Sequence, residues 1–160
     1  MAEQALSTIG VKFGWGLGTL TQAPTSFKEI EECISISSVE LSKDQIDVTP
    51  LSAKRKRYIG GYEDSGGELE TVFNCTDTFD AQWDEMLTAY AGRESGQSMW
   101  FCAWHPSRAK MSTYIVEPGS RPKPEYSTGT ALQYTITNTL VDLPDDIAAS
   151  EPTAALEPGK

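Results

Sequence analysis

The chain has 160 residues, 39% of them hydrophobic, which favours one domain with a real core and polar arms or loops attached to it. Its 13 basic and 23 acidic residues leave a net charge of −10, which excludes a protein that coats duplex DNA with its whole surface, because DNA carries one negative charge per ~1.7 Å of axis. Three cysteines (Cys33, Cys75 and Cys102) are an odd number in apolar, strand-like stretches, which argues against a disulfide framework and for buried, reduced thiols.

Residues 1–26 are rich in Gly, Ser and Thr and read as an N-terminal arm or a glycine-bent first strand. Gly10, Gly14, Gly16 and Gly18 do not form a GxGxxG that opens a helix, so a nucleotide cradle is not expected. Strand signals follow. Ile34 and Ile36 alternate with Ser35 and Ser37, and Ile46 and Val48 share a face over Gln45 to Thr49. Between Glu68 and Cys75, Leu69, Thr71, Phe73 and Cys75 share one face. Phe79, Trp83, Met86, Leu87 and Tyr90 then form one apolar stripe, which predicts a helix over 78–91, capped by Asp77 or Thr78 and stopped by Gly92. The continuous run Met99 to Trp104 predicts a strand covered on both faces. Met111 to Val116 is another strand, and Leu132, Tyr134 and Ile136 alternate with polar residues in the last and clearest one. Past Val141 the chain turns polar, and residues 142–160 read as a flexible C-terminal segment or an arm that orders on a neighbour. No stretch approaches the ~20 apolar residues of a membrane span, and no signal peptide is expected at the N-terminus. Runs of strands with one helix predict an α+β, mainly β fold: two packed antiparallel sheets, sandwich- or barrel-like, with one flanking helix, a long loop between early strands and extended terminal arms.

Catalytic and metal chemistry find little to work with. His105 is the one histidine, and with Cys102 it makes C-x-x-H on a strand, where period-two geometry sends the two side chains to opposite faces. No G-x-S-x-G accompanies it. Asp77, Asp80 and Asp84 read as a solvated helix face. No cofactor, metal or catalytic residue is expected. The one basic cluster, Lys54, Arg55, Lys56 and Arg57, reads either as a solvated loop or as an electrostatic docking element on an otherwise acidic protein.

The stretch Ile46 to Leu69 reads IDVTPLSAKRKRYIGGYEDSGGEL. It resembles the long-loop segment of bacteriophage major tail proteins of the tail tube type. There a strand ending in D-x-T-x-L runs into a long loop, then an aromatic-glycine element, then Asp-Gly-Glu opening the next strand. Asp47, Thr49, Leu51, Tyr58, Ile59, Gly60, Gly61, Asp64, Gly67 and Glu68 carry the resemblance, with Phe27 and Ile30 upstream and the helix downstream. The doubled Gly66-Gly67 departs from the pattern and adds a bend.

The resemblance covers residues 27–141 and implies a tail tube β-sandwich domain there. It implies six subunits closing a ring, rings stacking into a hollow tube, and a lumen that holds the tape measure protein and later passes the genome. The long loop would reach from ring to ring, its ring-stacking residues being Asp47, Thr49, Leu51, Lys54, Arg55, Lys56, Arg57, Tyr58, Gly60, Gly61, Asp64, Gly67 and Glu68. Tail tip and tail terminator proteins would be further partners, viral DNA would pass without specific binding, and no membrane would be involved. The virion tail would be the protein's place, after synthesis in the host cytoplasm. The acidic balance reads as solubility, or as a surface that meets DNA without holding it. Two other readings stand beside this one: the tube protein of a contractile injection or secretion system, and a monomeric β-sandwich that binds a ligand on Trp100, Trp104 and Tyr114.

Overall fold

The computed structural model describes residues 5–153; the outermost parts of the expected N-terminal arm (1–4) and C-terminal segment (154–160) lie outside that range. The described elements are β1 (Lys12–Gly18), β2 (Lys28–Ile30), β3 (Cys33–Ile36), β4 (Ser42–Asp47), β5 (Tyr58–Asp64), β6 (Glu68–Asn74), α1 (Asp77–Ala91), β7 (Ser98–Trp104), β8 (Lys110–Glu117), β9 (Gln133–Asp142) and β10 (Ile147–Ala148). One large antiparallel sheet runs in the order β2-β1-β7-β8-β9-β6-β3, with β10 beside β8; β4 and β5 form a second, two-stranded sheet. The fold is mainly β with two antiparallel sheets and one helix, as the alternation predicts.

The large sheet curls over on itself. Strands β1 and β6 are four steps apart in it, which would be about 19 Å in a flat sheet. Yet the rings of Phe13 on β1 and Phe73 on β6 meet edge-to-face with centroids 5.4 Å apart. The core fills this fold-over. Phe13, Trp15, Phe101, Leu69, Phe73 and Ile136 enter it from the strands, and α1 closes it with Phe79, Trp83 and Met86. The predicted helical stripe is therefore the buried face. Its N-cap is Thr76, one residue before the expected pair, because Thr76 has extended backbone and its hydroxyl accepts from the Phe79 N–H at 3.1 Å. Asp80 and Asp84 are also not simply solvated: Arg121 lies 3.5 Å from one and 3.2 Å from the other, tying the helix to the approach to β9.

Strand β7 is covered on both faces, as its unbroken apolar run predicts. Met99 and Phe101 point into the main core. Trp100 and Cys102 point the other way, into a smaller cluster with Phe27, Met111 and Ile115. The chain that covers this second face comes from both ends of the sequence. On β1, Phe13 and Trp15 face the core while Gly14, Gly16 and Gly18 face outward, and the segment around Pro24 crosses directly over Gly16 and Gly18. A Cβ on Gly16 would stand 2.8 Å from Pro24 Cγ and 2.9 Å from the Ser26 carbonyl, so only glycine lets the two stretches of backbone approach.

The C-terminal segment completes the cover. Residues 142–153, read from the sequence as a flexible segment or an arm that orders on a neighbour, lie against their own subunit. Ile147 and Ala148 pair with β8, and the Thr153 N–H donates to the Phe27 carbonyl at 2.9 Å. Lys12 Nζ holds Glu151 at 2.7 Å. The physical reason is local: Ile147 packs on the second apolar cluster, and buried Pro152 sits over Gly14.

Two consequences for stability follow from the core. Asn138 is fully buried on β9, and every polar atom of its amide is used. Its Nδ2 donates to the Leu69 carbonyl and to Thr71 Oγ1, both at 3.2 Å, and its Oδ1 accepts from the Gly119 N–H at 2.8 Å. Asn138→Ala removes three hydrogen bonds and strips the Leu69 carbonyl and the Gly119 N–H of this partner, and should cost about 2–4 kcal/mol in urea unfolding at neutral pH.

Burial also pushes the Cys33 and Cys102 thiols from 9.0 up to about 12, so the folded state favours the protonated form. A pKa raised on folding contributes stability that is complete below the unfolded value and is lost as pH rises through the folded value. The urea midpoint should therefore fall as pH climbs from 9 towards 12, and the fall should be shallower in a Cys102→Val variant. An equal slope in both proteins would exclude Cys102 as a source of it.

Candidate functional site

The β4–β5 hairpin leaves the body between β3 and β6, at the edge of the large sheet. Neither of its strands pairs with that sheet. Its register is Ser42 opposite Asp64 at the base and Asp47 opposite Tyr58 at the far end, with one bulge between Lys43 and Gln45. Sequence reasoning places this whole region after Pro50 in a loop, but seven of its residues form β5. Gly60 and Gly61 disguise the strand, since glycine weakens strand signals in sequence. Here they pack it: a Cβ on Gly60 would lie 3.2 Å from Lys43 Cδ, and one on Gly61 3.3 Å from Ile46 Cδ1.

At the far end Thr49 closes the loop. Its Oγ1 accepts from the Arg57 N–H at 2.8 Å and donates to the Arg57 carbonyl, while the Val48 N–H donates to the same carbonyl at 3.0 Å. The Asp47 carboxylate accepts from the Thr49 N–H at 2.9 Å, and hydrogen bonding with Thr49 holds it below the usual carboxylate range. These bonds present residues 50–57 as a compact tip. At the base, Asp64 Oδ1 accepts from the Gly66 N–H at 2.8 Å. Gly66 and Gly67 both take positive φ, 87° and 76°, which turns β5 into β6 and sets the angle at which the hairpin leaves the body.

The predicted residues are thus spread along the hairpin and not gathered at one point. Asp47, Thr49, Leu51, Lys54, Arg55, Lys56, Arg57 and Tyr58 lie at its far end, Gly60 and Gly61 midway, and Asp64, Gly67 and Glu68 at the base. All four residues of the basic run are exposed, and among the described residues none makes an ion pair. Sequence reasoning missed the apolar surface. Ile46 and Val48, read as one face of a strand, are 48% and 45% exposed, and Tyr62 is 88% exposed. Leu51 at the tip stands fully free of its own subunit. The available signal was the exposed-side pair Ile46 and Val48 together with Tyr58, Ile59 and Tyr62 around the two glycines.

Other candidate chemistry is occupied structurally. His105 Nδ1 accepts from the Ser107 N–H at 3.0 Å, which leaves Nε2 to donate to the Ser7 carbonyl at 2.6 Å; the ring fastens the N-terminal segment. Trp100 is buried and its Nε1 donates to the Thr19 carbonyl at 2.9 Å, so it does not form an open platform with Trp104 and Tyr114. No helix among the described residues is long and apolar enough to cross a membrane.

No family model matches the chain, and no characterised protein matches it in sequence. Solved structures do match. A chain from the tail of an empty gene transfer agent particle, reconstructed with C6 symmetry, is 14% identical with a TM-score of 0.56, over 91% of this chain and all of that one. A chain from the virion of a native gene transfer agent particle is 12% identical with a TM-score of 0.57, over 90% of this chain and all of that one. The chain therefore shares its fold with these two gene transfer agent particle chains.

Proposed function

We propose that the chain is the structural subunit of a phage-type tail tube, that six copies close a ring, and that rings stack into a hollow tube through the β4–β5 hairpin. The observation that carries this is the hairpin itself. It exposes Leu51, Ile59, Tyr62 and four cations, its two strands pair only with each other among the described residues, and it projects from a fold shared with a subunit of a C6-symmetric tail. Exposed apolar surface of this kind marks a site of association. A contact between different surfaces of identical subunits repeats without closing, and so builds a filament.

The edges of the large sheet are short: β2 has three residues and β3 four. Ring closure would pair or cover such edges. In this reading the lumen holds the tape measure protein and then passes DNA, and the net charge of −10 keeps DNA from adhering. Tail tip and terminator proteins bound the tube at its ends. The protein is a virion component with no catalytic role.

Negative-stain microscopy with sedimentation velocity, at low and high protein concentration, tests the proposal. Rings and hollow tubes of uniform width are the expected result. Monomers that persist at high concentration and in the presence of preformed tail tips would overturn it.

A further inference from the structure

A groove of about 620 Å³ lies at the foot of the hairpin. It opens where the large sheet is incomplete. Strand β8 pairs with β10 at Met111 and with β9 from Ile115 onward, leaving residues 112–114 without a strand partner on that side. Val39, Leu41, Tyr114 and Leu143 give the groove apolar walls, and Asp145 and Asp146 give it acidic ones. Lys110 is the one basic side chain lining it. Asp146 is close enough that its charge, after burial, helps to push Tyr114 up from its usual value. Thr113 also lines the groove. It is 1% exposed, and its hydroxyl is buried with no hydrogen-bond partner.

We infer that this groove receives the hairpin tip of a second copy, with Leu51 against the apolar walls and the Lys54–Arg57 run against Asp145 and Asp146; the inference rests on the tube reading. Two observations select this occupant. The tip combines one fully exposed aliphatic side chain with four unpaired cations, and the groove combines apolar walls with two exposed carboxylates. Position excludes the chain's own tip. Val39 and Leu41 immediately precede β4, whereas residues 50–57 lie beyond its other end, about 20 Å away for a six-residue strand. Tip and groove sit at opposite ends of one hairpin, so each copy can give its tip forward and take one from behind. Such a contact propagates along an axis.

Complementary charge reversal tests this with full-length protein. The groove variant Asp145→Lys/Asp146→Lys and the tip variant Lys54→Glu/Arg55→Glu/Lys56→Glu/Arg57→Glu should each raise the concentration needed for tubes by about ten-fold or more, while remaining folded by circular dichroism. Mixed one to one, the two variants should recover tubes, because each then offers the other a matched tip and groove. A second measurement does not depend on tubes accumulating. Oxidation of a Ser52→Cys/Ser112→Cys double variant should give a ladder of covalent oligomers, and either single variant should give dimers at most. Tubes from either charge variant alone at wild-type concentration, or no ladder from the cysteine pair, would overturn the groove assignment and leave the ring reading standing. Wild-type protein that never forms rings or tubes would overturn the ring reading, and the ladder would still report on the groove.

Discussion

Trp83→Ala should lower the unfolding free energy by about 4 kcal/mol, the largest effect expected from any single truncation in the subunit. Trp83 is fully buried on α1 and touches three other rings: Phe73, Phe79 and Phe101 lie 5.5, 5.7 and 5.9 Å away, centroid to centroid. These rings come from β6, α1 and β7, so one side chain joins the helix to both halves of the curled sheet. The indole also donates from Nε1 to the Gly119 carbonyl at 3.1 Å, which fixes the chain where it leaves β8 for β9. Alanine forfeits the transfer energy, opens a cavity among rings that cannot all move inward, and strands a carbonyl. Domains of this size are stable by roughly 5–15 kcal/mol, so the loss is a large share of the total. Chemical unfolding followed by circular dichroism measures it. Trp83→Phe keeps most of the ring contact and should recover more than half of the loss. A change below about 1 kcal/mol for the alanine variant would mean that the helix is an ornament on a self-sufficient sheet.

Elements that bury residues by their own periodicity were legible in the sequence. The stripe Phe79, Trp83, Met86 is a buried helix face, the run Met99 to Trp104 is a strand covered twice, and the alternation at Tyr134 and Ile136 is the core face of β9. The illegible parts depend on what another stretch of chain does. In β1 the alternation is Phe13, Trp15, Leu17 against Gly14, Gly16, Gly18, and those glycines carry meaning only once Pro24 and Pro152 lie across them. Residues 147–153 look polar and unsupported until the notch beside β8 and the small cluster around Phe27 are known. The candidate site was half legible. Its basic run and its flanking glycines stand out in one dimension. That β5 is a strand, and that Ile46 and Ile59 face each other across an uncovered ladder, is a fact of pairing, which depends on residues far apart in sequence.

Replacing residues 48–57 by Asn-Gly should abolish tube assembly while leaving the subunit's melting temperature nearly unchanged. The register makes the surgery clean. Asp47 and Tyr58 are directly opposite partners, and a two-residue Asn-Gly loop joins such a pair in the type I′ geometry that suits the twist of a hairpin. What is removed bonds mainly to itself: Thr49 to Arg57, Val48 to Arg57 and Ala53 to Pro50. The deleted tip packs into neither apolar cluster of the body, so its loss opens no cavity there. Shortening a loop also reduces the closure entropy of the unfolded-to-folded step, which offsets any small loss at the turn. Assembly should respond differently, because Leu51 and the four cations leave with the tip and a head-to-tail contact that loses one side cannot propagate. The variant should therefore sediment as rings or smaller species under conditions where the wild type forms tubes. Tubes of normal length from this variant would show that the rings stack through other surfaces. A large drop in melting temperature would instead show that the hairpin supports the fold, and its exposed apolar residues would then need a different explanation.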